Sequence, residues 1–137
     1  MTCPVFTALR AQSPCAEIVY VGRASFGDLL LLAGLADRVV SQNSPEVVAL
    51  HSRAPDAGVA IGRALGASGL AISYLGSDDV ARNLLRSGAG EVLTCSARPV
   101  AGGRVHAADH LASALMGRID VPLPACPRID VPKAVQD

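Results

Sequence analysis

One pattern recurs along this chain: a short apolar run, a small polar residue, then a helix-like segment. Gly69 to Ile72 stops at Ser73 and Tyr74, a helical stretch follows from Ser77, and Gly88 and Gly90 lead into a second apolar run. That run, Val92 to Cys95, closes on Arg98-Pro99. Val47 to Leu50 ends similarly, in His51-Ser52-Arg53, before another helical stretch. Strands alternating with helices of about ten residues form βαβ units with parallel pairing. A parallel sheet gathers backbone N–H groups and hydroxyls at the carboxyl ends of its strands, where anionic ligands bind.

The pattern reads β-α-β-β-α-β-α-β-α. The first strand is Glu17 to Gly22. Ser25 is placed to cap the helix from Phe26 to Ala33, with Asp28 in the capping-box position and Gly34 as the left-handed terminator. Arg38 to Val40 is the second strand and Glu46 to Leu50 the third. Pro55 fits the first turn of a helix that runs to Leu65 and stops at Gly66. Gly69 to Ser73 is the fourth strand. Ser77 or Asp78 caps a helix to Arg86, with Val80, Leu84 and Leu85 toward a core. Glu91 to Cys95 is the fifth strand, and His106 to Met116 the last helix. The expectation is an α/β domain over residues 17–117, in three layers with a mainly parallel sheet flanked by helices. Residues 1–16, with Pro4 and Pro14 and little periodicity, are an N-terminal arm or the remnant of an element. A Pro-rich extended tail, 118–137, repeats RIDVP at Arg118–Pro122 and Arg128–Pro132.

Composition narrows the interior and the partners. The chain has 137 residues, enough for one core. Half of it is hydrophobic, yet 3% is aromatic and Trp is absent, so Ala, Val, Leu and Gly must fill the interior. Formal net charge is zero, which argues against nucleic acid or a membrane surface as partner. Of the 12 basic residues all but Lys133 are Arg, a side chain suited to bidentate carboxylate contacts, although an Arg-preferring codon usage gives the same bias. Cys3, Cys15, Cys95 and Cys126 form no C-x-x-C pair, and the first residues lack the apolar core of a signal peptide. The expectation is a cytoplasmic protein with reduced thiols. The longest apolar run, Leu29 to Leu35, is too short to span a bilayer.

The segment AISYLGSDDVARNLLRSGAGEVLTCSARP resembles the last strand-helix-strand of uroporphyrinogen-III synthases. Ser73, Val80, Ala81, Leu84, Gly88, Val92, Ala97 and Pro99 are the counterparts of that family's pattern, with a small shift from an extra residue before Val80. VHAADHLASALM is similar to the family's closing helix. EVVALHSRAPDAGVAIGRAL and IVYVGRASFGDLLLLAGLADRVV are similar to two earlier blocks. The resemblance covers about residues 17–116 and only the C-terminal half of the family's length. Ser41 stands where the family usually has Tyr, and the stretch from there to the next strand is shorter than usual. The resemblance implies cyclisation of the linear tetrapyrrole hydroxymethylbilane with inversion of ring D, without metal or organic cofactor. It also implies a second copy or a separate partner chain that supplies the missing half.

The eight carboxylates of such a substrate require many donors. Ser52 and Arg53 at one strand-to-helix junction, Ser73 and Tyr74 at the next, Arg23 after Gly22, and Arg98 after the fifth strand are the candidate contacts. Each also reads as an ordinary cap, a rim tyrosine, a turn or a surface charge. Tyr74 is the candidate catalytic residue, because its phenol can assist the leaving hydroxide. His51 beside Ser52 is no hydrolase arrangement, since no G-x-S-x-G elbow is present. His106 and His110, four apart without an H-E-x-x-H pattern, read as a helix-surface pair. Two alternatives stand beside the synthase reading. One is a non-catalytic α/β binding or oligomerisation module derived from that fold. The other is a nucleotide- or flavin-binding α/β fragment, against which the missing G-x-G-x-x-G counts.

Overall fold

A computed structural model describes residues 3–98 and 105–118. The expected Pro-rich tail from 119 onward and the turn at Gly102-Gly103 lie outside the described residues. The chain is an α/β protein with parallel strand pairing. Its described residues divide into two compact units, 3–41 with 115–118, and 42–98 with 105–114. Each unit contains one βαβ crossover and its own two-stranded parallel sheet.

The first unit opens with a helix, α1 (Cys3–Gln12), in the segment where the sequence left an arm or the remnant of an element open. Pro4 lies in the first turn, where a missing N–H leaves no gap in the helical ladder. Val5 and Ala8 are buried and Phe6 and Leu9 pack on the core, an apolar stripe at helical spacing. Strand β1 (Val19–Gly22) pairs in parallel with β2 (Arg38–Ser41), Val19 opposite Arg38. Between them runs α2 (Ala24–Leu32). Its N-cap is Arg23, two residues earlier than expected, so Ser25 falls inside the helix and the Ser25–Asp28 capping box does not form. Gly34 takes the left-handed conformation at φ +65°, as the sequence indicated. Three of the four aromatic rings meet here. Tyr20 packs edge to face on Phe6 and on Phe26, with centroids 5.8 and 5.4 Å apart.

Arg10 and Asp37 tie this unit together. The Arg10 guanidinium donates to the Asp37 carboxylate at 2.6 Å and to the Ala16 carbonyl at 2.9 Å. The same carboxylate oxygen accepts the Ile18 N–H at 2.7 Å. The Ile18 N–H first, and Arg10 second, hold the Asp37 carboxyl below the usual carboxylate range.

The second unit begins with the largest departure from the sequence reading. Residues expected as a third strand form α3 (Pro45–Ala49). Ser44 caps it by accepting the Val47 N–H, Pro45 occupies the first helical turn, and Glu46 faces the positive end of the dipole. Val47 and Leu50 are buried, three apart, while Val48 is exposed, which is helical spacing. Helix α4 (Ala57–Leu65) follows; Pro55 precedes it rather than entering its first turn. Strand β3 (Leu70–Ser73), helix α5 (Asp78–Arg86) and strand β4 (Glu91–Thr94) make the crossover, with Leu70 opposite Glu91 and Ser73 opposite Thr94. Val80, Asn83 and Leu84 form the buried face of α5. The closing helix is shorter than expected. It is α6 (Ala107–Ala112), capped by His106 and continued by a single 3₁₀ turn, Ser113–Leu115. No helix among the described residues is long and apolar enough to cross a membrane.

Helices α4 and α5 approach closely because Gly58 and Gly62 lack side chains. A Cβ on Gly58 would lie 2.8 Å from the Asn83 carbonyl, and one on Gly62 would lie 2.8 Å from the Ser87 carbonyl. Helix propensity favours Gly58→Ala by about 1 kcal/mol. The backbone clash outweighs it, and the variant should lose about 1–3 kcal/mol in urea unfolding. A second outcome concerns pH. Asp37 has a depressed carboxyl in the folded state, so its contribution is complete above the ordinary aspartate range and disappears as pH falls through the folded value. Acid unfolding monitored by tyrosine fluorescence should therefore be less steep in Asp37→Asn than in the native chain.

Candidate functional site

The carboxyl ends of β3 and β4 carry most of the chemistry in the second unit. Ser73 is the last residue of β3 and is buried. Its Oγ accepts the Leu75 N–H at 3.4 Å, a serine turn that swings the chain out of the sheet. Leu75 then bridges Ser96 in antiparallel fashion, which keeps the two chain exits side by side. Arg98 follows; its backbone N–H donates to Ser96 Oγ at 3.2 Å and its side chain is exposed.

Helix α6 is fastened to this end. Tyr74 Oη donates to the Leu111 carbonyl at 2.9 Å. His110 Nε2 lies 2.7 Å from the Ser96 carbonyl, and because a carbonyl only accepts, this nitrogen carries the proton. Cys95 Sγ approaches the His110 carbonyl at 4.0 Å, and Ser113 Oγ donates to that same carbonyl at 2.6 Å. The Leu111 and His110 carbonyls near the C-terminus of α6 thus gain side-chain donors from the strand exits and from Ser113. The Tyr74 phenol is pushed up to about 12, by burial first and by the neighbouring Cys95 second. At neutral pH it is an un-ionised donor.

Ser52 and Arg53 do not follow a strand. They lie in the connection between α3 and α4, because the preceding segment is helical. Ser52 Oγ accepts the Ala54 N–H at 3.0 Å. Arg53 reaches Asp79 in the first turn of α5 at 3.4 Å, with 86% of its side chain exposed. Arg82 binds the other oxygen of Asp79, and these two cations, Arg82 first, hold the Asp79 carboxyl below the usual range. Asp78 adds a further carboxylate at the start of α5, so this helix terminus is already supplied with negative charge.

One residue that the sequence reading passed over organises this region. Asn83 is fully buried, and its carboxamide nitrogen donates to the Leu50 carbonyl at 2.9 Å and the Ser52 carbonyl at 2.8 Å. Its Oδ1 is buried with no partner. The available signal was register: Asn83 sits on the apolar face of α5 between Val80 and Leu84, where a polar side chain needs specific partners.

The structure therefore brings Ser73, Tyr74 and Arg98 to one end of the β3–β4 pair, and α5 links Ser52 and Arg53 to it. Arg23 belongs to the first unit, where it is exposed and supplies the N-cap of α2. His106 and His110 serve separate purposes. His106 Nδ1 accepts the Ala108 N–H and caps α6, while His110 holds Ser96. Among the described residues, no three His, Cys, Asp or Glu side chains gather where they could hold a metal ion. Cys15 and Cys95 are free thiols. No family model matches the chain, and neither curated proteins nor solved structures yield a similar one.

Replacing Asn83 by Ala leaves two buried carbonyls without donors. The expected cost is about 1–3 kcal/mol in urea unfolding. Asn83→Asp should lose at least as much at neutral pH, because it sets a carboxylate against those carbonyls.

Proposed function

We propose that this chain is a uroporphyrinogen-III synthase-like protein of the cytoplasm. It binds hydroxymethylbilane and closes the macrocycle with inversion of ring D, using no metal or organic cofactor. One observation carries the reading. The parallel β3–α5–β4 unit falls on the segment with the family-like pattern, and it sets Ser73, Tyr74 and Ser96 through Arg98 at one end.

Cyclisation needs the hydroxymethyl group to lose hydroxide, which leaves a delocalised cation that a pyrrole carbon then attacks. The protein's contribution is positioning and charge complementarity. Arg53 shares one carboxylate with Arg82 and is largely exposed, so it retains N–H groups for a substrate carboxylate. Ser52 accepts a backbone N–H and keeps its own proton to donate. Arg98 is an exposed cation for a peripheral carboxylate. Ser73, being buried and turned onto Leu75, shapes the loop. Tyr74 is un-ionised and donates toward the departing hydroxide once its phenol leaves Leu111.

A second reading, a non-catalytic binding or oligomerisation module, is favoured by a separate fact. Tyr74 and Arg53 already have partners within the chain. Freshly prepared hydroxymethylbilane separates the two readings. The synthase reading predicts type III isomer above the spontaneous type I product, and a KM raised about tenfold by Arg53→Ala with kcat nearly unchanged. Type I product alone, with a mass that rises with concentration, would establish the module instead.

A further inference from the structure

We propose that α6 is a strap held across the carboxyl ends of β3 and β4, displaced when that rim takes a polyanionic ligand. The ligand class rests on the function proposed above; the strap rests on geometry. Helix α6 has six residues, far below the length at which a helix is stable alone, so its place is set by its contacts. Leu111 and Ala112 supply the apolar part. The polar part consists of the Tyr74 hydroxyl on the Leu111 carbonyl, the His110 imidazole on the Ser96 carbonyl, and the Cys95 thiol toward the His110 carbonyl.

Two of these fasteners, Tyr74 and Cys95, are side chains of the strand exits themselves, and the third closes on the backbone of Ser96. A ligand that takes the phenol as a donor must break the bond to Leu111. The rest of the unit does not depend on that bond. Strands β3 and β4 are held by their own ladder, and Asn83 of α5 is anchored to Leu50 and Ser52, neither of which belongs to α6. Releasing α6 therefore leaves the platform intact. The phenol is also a poor acid at neutral pH, so the fastener is opened by competition for its hydrogen bond and not by ionisation.

Tyr74→Phe removes one fastener while keeping the ring. The test combines amide hydrogen exchange on the full chain with binding of uroporphyrin I, a stable octacarboxylate. Exchange over residues 107–112 should rise about fivefold to tenfold in the variant, with residues 80–86 unchanged. Saturating uroporphyrin I should raise exchange over residues 107–112 of the native chain by a similar factor, whereas the variant, already released there, should change little, and its turnover of hydroxymethylbilane should fall. Unchanged exchange in 107–112 on substitution, an equal rise throughout α5, or no rise in 107–112 when the native chain is saturated with uroporphyrin I would overturn the strap. If neither chain binds uroporphyrin I, the ligand reading fails by itself. The strap is then decided by exchange alone, retained by a rise confined to 107–112 and rejected without one.

Discussion

The second unit depends on the carboxamide of Asn83. It lies on the apolar face of α5, fully buried, and two backbone carbonyls of the α3–α4 connection end on its nitrogen. A loop that enters a core brings carbonyls that need donors, and an unpaired buried carbonyl is costly. Asn83 supplies both donors from one side chain. It thereby fixes where Ser52 and Arg53 leave the core and directs Arg53 to Asp79. Close packing of Gly58 and Gly62 of α4 on the Asn83 and Ser87 backbone complements this anchor.

The crossover geometry then does the rest. A parallel βαβ unit puts both strand exits at one end, and the Leu75–Ser96 bridge keeps them adjacent. The polar groups at this end are in a defined state. Tyr74 is un-ionised, His110 bears a proton on Nε2, and Arg53 shares Asp79 with Arg82. Such an end is neither strongly basic nor open. The Tyr74 phenol is reserved by α6, while Arg53 shares Asp79 and keeps further N–H groups, which is how a substrate with eight carboxylates engages this end in the function proposed here.

Much of the α/β pattern was legible in the sequence because local and tertiary preferences agree. The runs at Val19–Gly22, Leu70–Ser73 and Glu91–Thr94 are strands, Ser77 caps α5 through the Val80 N–H, and Gly34 and Gly66 end helices with positive φ. The failures have specific causes. Val47 to Leu50 is rich in β-branched residues, but Ser44-Pro45-Glu46 is a strong helix start, and the capping signal wins over side-chain propensity in so short a segment. At the N-terminus the weak periodicity gives no helix, although Pro4 in a first turn permits one. Among the described residues the five expected strands became four, in two sheets, once that third segment turned helical. Of the site, the residues flanking strand ends were legible from position alone. Asn83, and the engagement of Tyr74 with a carbonyl 37 residues away, depend on tertiary contacts that spacing does not encode.

The central claim is that the exits of β3 and β4, with the Ser52–Arg53 connection, form one surface for a polycarboxylate. Chemical-shift mapping of the ¹⁵N-labelled chain during titration with uroporphyrin I tests it most directly. The account predicts saturable shifts concentrated at residues 52–53, 73–77, 94–98 and 107–112. Shifts scattered over the surface, or confined to residues 3–41, would contradict it.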